Sequence, residues 1–440
     1  MSGRPGTVAR VRDSGYVPDV GCHRVAVEPA GPVPAVLRTR AEAEAYVASV
    51  CFKHGPPTLV GVELEWLLHH RAAPADPVPI AALVAALGPH APATIDPASP
   101  ALPLPGGSTV TVEPGGQVEL ASPPLVGLTS LVSTAQRDAD HLHGLLGEHG
   151  LVAQPRAADP LRPPTRVLDL PRYQAMERSF DRIGPHGRSG MCSTAAVQIC
   201  VDAGQGDEIT RRWQALHAVG PVLVGAFANS PLLHGRRTGW KSSRMGCWLT
   251  LDPERTAPPP STGGDPAGEW ARRVLATPLL CVRRDGAWDV PARITFADWV
   301  AGALPAAPTT ADLDYHMSTV FPPVRPRGHL EIRYVDAQPG RRWALPVAVL
   351  LSLLADPVRT EQAVAACEPA AGRWMSAARY GLADRVVARA AALVFELACA
   401  ALPALDPPAW LAADLIEMTE RQVLAGRCPA DEPDMDGDRR

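Results

Sequence analysis

Two carboxylates sit two residues apart in TLVGVELEW, residues 58–66, where Glu63 and Glu65 alternate with Val62, Leu64 and Trp66. Successive side chains of a β-strand point to opposite faces, so both carboxylates share one face and the apolar residues take the other. The stretch TVTVEPGGQVELASPP, residues 109–124, reads as a hairpin with the same division. Val118 and Leu120 fall on one face, Gln117 and Glu119 on the other, and Glu113 stands just before the Pro114-Gly115-Gly116 turn. Like charges at this spacing repel, and removal from water raises their pKa further, so such a face needs a counter-charge. A divalent cation supplies it with the fewest groups; separate salt bridges are the plainer alternative.

Three later stretches carry side chains of matching chemistry. In MCSTAAVQICVDAG, residues 191–204, Ala195, Val197, Ile199 and Val201 alternate with Ala196, Gln198, Cys200 and Asp202, which predicts a further core strand. The Gln198 amide oxygen suits a hard cation or a substrate, and it suits a neighbouring strand equally well. In HLEIRYVDAQPG, residues 329–340, Glu331 and Arg333 share a face against Leu330, Ile332 and Tyr334, as a functional pair or an ordinary cross-strand salt bridge. Between them, LLHGRRTGWKSSRMGCW at 232–248 reads as a loop with Arg236, Arg237, Lys241 and Arg244. Such a loop clamps phosphate or carboxylate through charge-assisted bonds, or is merely solvated.

The elements that must hold these groups follow from periodicity. Helices are expected near 40–52, 79–88 and 128–149, the last with Leu128, Leu131, Val132, Ala135, Ala139, Leu142, Leu145 and Leu146 at helical spacing and Gly150 at its C-cap. His141, His143 and His149 fall on or beside its solvated face. A helix opened by Pro171 spans 173–183, and one or two occupy 206–227. The Pro-, Gly- and Ser-rich 253–268 reads as an exposed excursion, and helices near 295–304 and 309–318 follow it. From 342 to 425 the pattern is Ala- and Leu-rich helix, a scaffold for the sheet.

With 440 residues, 46% of them hydrophobic and 20% charged, the chain is long enough for a large core. A formal net charge of -4, without an aromatic-and-basic repeat or zinc-finger spacing, argues against a nucleic-acid partner. No apolar run is expected to reach the length of a membrane span. The nine cysteines are scattered without a CxxC pair, and the N-terminus lacks an apolar h-region, so reduced thiols and a cytoplasmic location are expected. Residues 1–35 read as a loose arm, 36–427 as a single domain and 428–440 as a disordered acidic tail.

Taken in order, GVELEW, TVEPGGQVELASPP, RYQAMERSFDRIGPHGRSGMCSTAAVQICVDAG, FANSPLLHGRRTGWKSSRMGCW and HLEIRYVDAQPG resemble the glutamate-cysteine ligases. The resemblance covers about 40–425 and is to the plant-like and actinobacterial branch that includes the ligase opening the ergothioneine pathway. It implies an α+β, glutamine-synthetase-like fold, with a curved, mainly antiparallel sheet forming a funnel and helices outside. The reaction it implies is ATP-dependent ligation of the glutamate γ-carboxylate to the cysteine amine through γ-glutamyl phosphate, in a monomer.

By matching position, Glu63, Glu65, Glu113, Glu119 and Glu331 are the implied ligands of two or three Mg2+ ions, with Gln198 where some relatives carry His. Arg244 and Arg333 would stabilise transferring phosphate or substrate carboxylate, assisted by Lys241. Gln117 would shape the pocket, and Ser193, Thr194, Asn229 and Ser230 would be polar contacts. No general base is assigned, and nothing demands a nucleophilic Cys192. Two other readings remain open: a ligase joining glutamate to a different amine, and a relative that binds glutamate or nucleotide without turnover.

Overall fold

The computed structural model describes residues 34–260 and 263–432. Its strands are β1 (Leu59–Trp66), β2 (Leu68–His70), β3 (Thr109–Val112), β4 (Val118–Ala121), β5 (Leu125–Val126), β6 (Leu151–Ala153), β7 (Ala196–Val201), β8 (Leu232–Leu233), β9 (Arg236–Arg237), β10 (Val324–Pro326) and β11 (Leu330–Asp336). The main sheet is open, runs β10-β11-β7-β1-β4-β3, and has β5 beside the start of β1. Every pairing in it is antiparallel. The expected N-terminal arm falls almost wholly outside the described residues.

Alternation sets the two faces as the sequence predicts. Val62, Leu64, Val118, Leu120, Ile199, Ile332 and Tyr334 are all buried on one side. Against it lies the helix Leu128–Glu148, whose Leu131, Val132, Ala135, Ala139, Leu142 and Leu146 form the buried stripe. Gly150 follows that helix with φ +70°, a left-handed conformation that glycine adopts without strain. Leu142→Ala would empty a fully buried position at a cost of about 2–5 kcal/mol. His141 and His149 are exposed as expected, but His143 is half-buried, because its ring lies edge-on to Trp66 with centroids 4.8 Å apart.

The second half of the chain wraps helices around Arg385–Ala401, whose Val387, Ala390, Ala391, Val394, Phe395 and Ala398 are buried. It packs on Ala344–Leu353, Pro357–Cys367 and Gly220–Ala226, and the last of these rests on β11. One core cluster runs from Leu37 to Val423. Contrary to the sequence expectation, Arg385–Leu405 is long and apolar enough to cross a membrane. Its apolarity has a local cause: one face is the core of this helical layer.

Three other expectations are corrected. The 232–248 loop ends early, since Ser242 caps a helix Ser243–Leu251 by accepting from the Met245 amide, and Arg244 lies buried in its first turn. The 253–268 excursion is in part interior. Pro253–Thr256 is a helical turn whose Arg255 is buried, with its guanidinium on Asp252, on the Thr319 carbonyl at 2.6 Å and on the Pro278 carbonyl. From Pro266 a further helix runs to Ala276, capped by Asp265, and buries Trp270 on the Arg40–Cys51 helix. Finally, 428–432 is ordered, because Arg156 donates to the Pro429 and Glu432 carbonyls, Asp431 pairs with Lys241, and Arg342 pairs with Glu432. The rest of that tail lies outside the described residues.

Candidate active site

The register of β1 with its neighbours gathers the acidic side chains. Glu65 is paired directly with Glu119 across β1 and β4, Glu63 with Gln198 across β1 and β7, and Glu331 with Cys200 across β11 and β7. Glu63, Glu119 and Glu331 are buried, and Glu65 and Glu113 are half-buried. Glu65 accepts from Gln198 Nε2 at 2.6 Å and from the Ala196 amide at 2.8 Å; Glu119 accepts from Thr111 Oγ1 at 2.7 Å. Glu63 Oε1 is buried with no hydrogen-bond partner.

The electrostatics show that these groups share one environment. Burial, then Glu331, pushes Glu63 up to about 8. Glu119 is held well above the usual carboxylate range by burial and by Glu63, Glu113 and Glu65, against the opposing Thr111 hydrogen bond. Burial also raises Glu65, opposed by Arg244 and Arg333. Glu331 is the exception: burial raises it, but Arg325 and Arg333 more than offset that and hold its pKa low. Arg325 forks onto both Glu331 oxygens, at 2.9 and 3.1 Å, and Arg333 pairs with it as well. The face thus has cations at its β11 side and, at β1 and β4, carboxylates whose burial those arginines do not offset.

A bulge in β11 completes the cationic side. Ile332 pairs with Ile199 but Val335 with Val197, so β11 holds one residue more than β7 between these points. Such a bulge re-aims the residues after it. Strict alternation would put Asp336 on the apolar face with Ile332 and Tyr334; the bulge turns it to the polar one. There Asp336 accepts from the Asn229 amide, Ser230 Oγ and Ser242 Oγ at 2.8–2.9 Å, and Arg244 Nη1 stands 3.6 Å away. Arg244 Nη2 donates to the Arg333 carbonyl at 2.7 Å, while its Nε is buried without a partner. The two arginines are therefore joined.

The EPGGQ turn is built by contact with 191–194. A Cβ on Gly115 would lie 2.1 Å from the Cys192 carbonyl oxygen, and Gly116 has φ +86°, so neither position accepts a side chain without strain. Gln117 accepts from the Gly115 amide and donates to the Thr194 carbonyl at 2.9 Å, which fixes Glu113 and Glu119 relative to β7. Thr194 Oγ1 donates to the Gly190 carbonyl and accepts from Trp248 Nε1, and Ser193 is buried at the end of the helix His186–Cys192. Cys192 is buried, and burial pushes its thiol up to about 12, so it is a poor nucleophile.

The remaining expected contacts sit at one remove. Asn229 hydrogen-bonds Arg156 and the Pro155 and Ala337 carbonyls, and Ser230 is engaged by Asp336, so both support the arginine side from behind. Lys241 is paired with Asp431. Trp248 and Phe321 form an edge-on pair 5.6 Å apart, and the Arg333 guanidinium lies 6.0 Å from the Phe321 ring.

The model of glutamate-cysteine ligase family 2 matches residues 59–433, which includes every strand that carries these groups. The chain belongs to that family. The glutamate-cysteine ligase EgtA of Mycobacterium tuberculosis is 39% identical over 415 residues, covering 92% of this chain and 91% of that protein. EgtA of Mycolicibacterium smegmatis is 43% identical over 336 residues, 75% of this chain and 78% of that one. Among solved structures, a bifunctional glutathione synthetase from Pasteurella multocida aligns with a TM-score of 0.50 at 14% identity. That match covers 89% of this chain and 52% of the other and speaks for the fold alone.

The donor set of this family 2 ligase fits a hard divalent cation. The candidate donor atoms are carboxylate oxygens, of which the buried Glu63 Oε1 has no hydrogen-bond partner, while the Gln198 amide oxygen accepts from Arg333. Among the described residues no three His, Cys, Asp or Glu side chains already form a metal shell. Gln198, Thr111 and Arg325 hold Glu65, Glu119 and Glu331 in its place. Sequence reasoning misses Arg325, which sits in the short β10 that Pro323 and Pro326 obscure, and Asp336, which the bulge relocates. Thr111 is detectable in hindsight as the cross-strand partner of Glu119.

Proposed function

We propose that the protein joins the γ-carboxylate of L-glutamate to the amine of L-cysteine at the expense of ATP, giving γ-glutamylcysteine, ADP and phosphate. Membership of the ligase family and the EgtA relatives support the overall activity. The observation that carries the mechanism is the buried Glu63 and Glu119, whose burial nearby arginines do not offset, flanked by Glu65 and bordered by Arg333 and Arg244. Such a face binds little in its bare form except cations. With cations bound, it attracts phosphate.

Glu63, Glu65 and Glu119, with Glu113 at the turn, would hold Mg2+, whereas the Gln198 oxygen accepts from Arg333 Nη1 and would join them only if that bond were released. The metal, when bound, neutralises the phosphate oxygens so that a carboxylate can approach them. The glutamate γ-carboxylate then displaces ADP from the γ-phosphorus, and the cysteine amine displaces phosphate from the resulting acyl phosphate with loss of one proton. Arg333 and Arg244 are placed to stabilise the charge on the transferring phosphoryl group or on a substrate carboxylate, because fixed donors in a dry site need no reorganisation. Glu331 acts differently from its neighbours, orienting Arg325 and Arg333. No side chain is assigned as general base.

The continuous core supports a single catalytic domain over 36–427. A monomer in the cytoplasm, where thiols stay reduced, is part of the same reading. The test incubates purified protein with ATP, Mg2+ and L-glutamate, and follows phosphate with and without L-cysteine. Cysteine-dependent release with a γ-linked dipeptide is the expected result. Release with a different amine alone would reassign the acceptor, and no release with any amine would leave a binding protein.

A further inference from the structure

A cavity of about 310 Å3 lies past the C-terminal ends of β1 and β11, and none of the carboxylates discussed above lines it. Its walls include Trp66, Arg71, His143 and Gln154, over an apolar floor with Leu146 and Leu151. The volume is that of small-molecule sites, which combine apolar walls with a few convergent polar groups. Here Gln154 already reaches His69, and two other groups are left over. His143 Nε2 is buried with no hydrogen-bond partner, although its ring is fixed edge-on to Trp66 at 77°. Arg71 is exposed at the rim, and among the described residues no carboxylate pairs with its guanidinium.

We propose that this cavity is a second ligand site, separate from the carboxylate face, for a small flat carboxylic acid. Its ring would lie against Trp66 and Leu146, its carboxylate would meet Arg71, and a ring nitrogen would meet His143 Nε2. Trp66 and Glu65 are consecutive on β1 and project to opposite faces, so the two sites lie on opposite sides of the sheet. The wall is also wired to the arginine side. Pro155, which lines the cavity, accepts from Asn229 Nδ2 at 2.8 Å, and the Asn229 amide donates to Asp336 at 2.9 Å.

Benzoate and imidazole-4-carboxylate are the probes, titrated by saturation-transfer NMR against the full chain, Arg71→Gln, His143→Phe and Glu119→Gln. Saturable binding of both acids is expected, weakened at least tenfold by Arg71→Gln and unchanged by Glu119→Gln. His143→Phe should weaken imidazole-4-carboxylate more than benzoate. Binding should also survive saturating ATP, Mg2+ and L-glutamate. The proposal is overturned by absence of saturable binding, by equal binding to Arg71→Gln, or by displacement by the substrates, which would put the acids on the carboxylate face. Arg71 is a surface position, so its variant stays informative even if His143→Phe fails to fold.

Discussion

Glu65 and Glu119 face each other as direct antiparallel partners, and the side-chain donor that reaches Glu65 is the amide of Gln198 at 2.6 Å. Two carboxylates opposed across a strand pair destabilise the sheet unless something neutralises them. The protein keeps both, and adds beside them Glu63, whose buried Oε1 has no hydrogen-bond partner. That arrangement is intelligible as a receptor for divalent cation. Its consequences are measurable.

Removing one acid should separate activity from stability. Glu63→Gln or Glu119→Gln is expected to lower turnover at least about 100-fold, since each removes a proposed metal ligand. Each should leave the melting temperature unchanged or raise it, because the cost of burying an acid among like groups goes with it. Wild-type phosphate release in either variant would strike that residue from the site.

The pH dependence has a defined sign. Glu63 titrates near 8 when folded against 4.5 for an ordinary Glu, so between those values the folded chain holds a proton that the unfolded chain has released. Stability from this group is therefore lost as pH rises through the window. Magnesium takes the deprotonated form, so it should raise the melting temperature more at mildly alkaline than at mildly acidic pH. Equal magnesium shifts at both would contradict the assignment.

Much of this was readable before any coordinates, because period-two alternation put Glu63, Glu65, Gln198 and Glu331 on one face and the hairpin did the same for Glu119. What escaped was decided by interruptions of the pattern. The bulge between Ile332 and Val335 reverses the side on which Asp336 projects, and periodicity carries no sign of it. Helix Ser243–Leu251 begins inside a glycine- and arginine-rich string, and only Ser242 marks its start. Pro266–Ala276 was hidden by the Pro- and Gly-rich residues before it.

Asp336 gives the third test, as a positioning residue for Arg244. Asp336→Asn keeps the shape and part of the hydrogen bonding but not the charge, so it should reduce kcat about 10–100-fold and cost less stability than Asp336→Ala. Asp336→Ala strands Arg244 as a buried unpaired cation and should cost about 3–5 kcal/mol in stability. If Asp336→Asn lost stability but kept kcat, the residue would be structural only.

Glycine in the EPGGQ turn gives the fourth. Gly116→Ala forces a side chain into left-handed backbone, a penalty of about 1–2 kcal/mol. Gly115→Ala drives a methyl into the Cys192 main chain, which is not a flexible neighbour, and should be the worse of the two. Because this turn holds Glu113 and Glu119 against β7, Gly115→Ala should also weaken magnesium binding measured by calorimetry. A harmless Gly115→Ala would show that the turn is looser than drawn.

The pairing of Lys241 with Asp431 joins residues 190 positions apart, and Arg156 reaches still further to Pro429. On the ribosome, every strand of the sheet is synthesised well before the segment that braces these two cations. A nascent chain halted at residue 428 has every strand of the sheet but lacks the Asp431 partner of Lys241 and the Pro429 carbonyl that Arg156 reaches, so this brace is the last to be added.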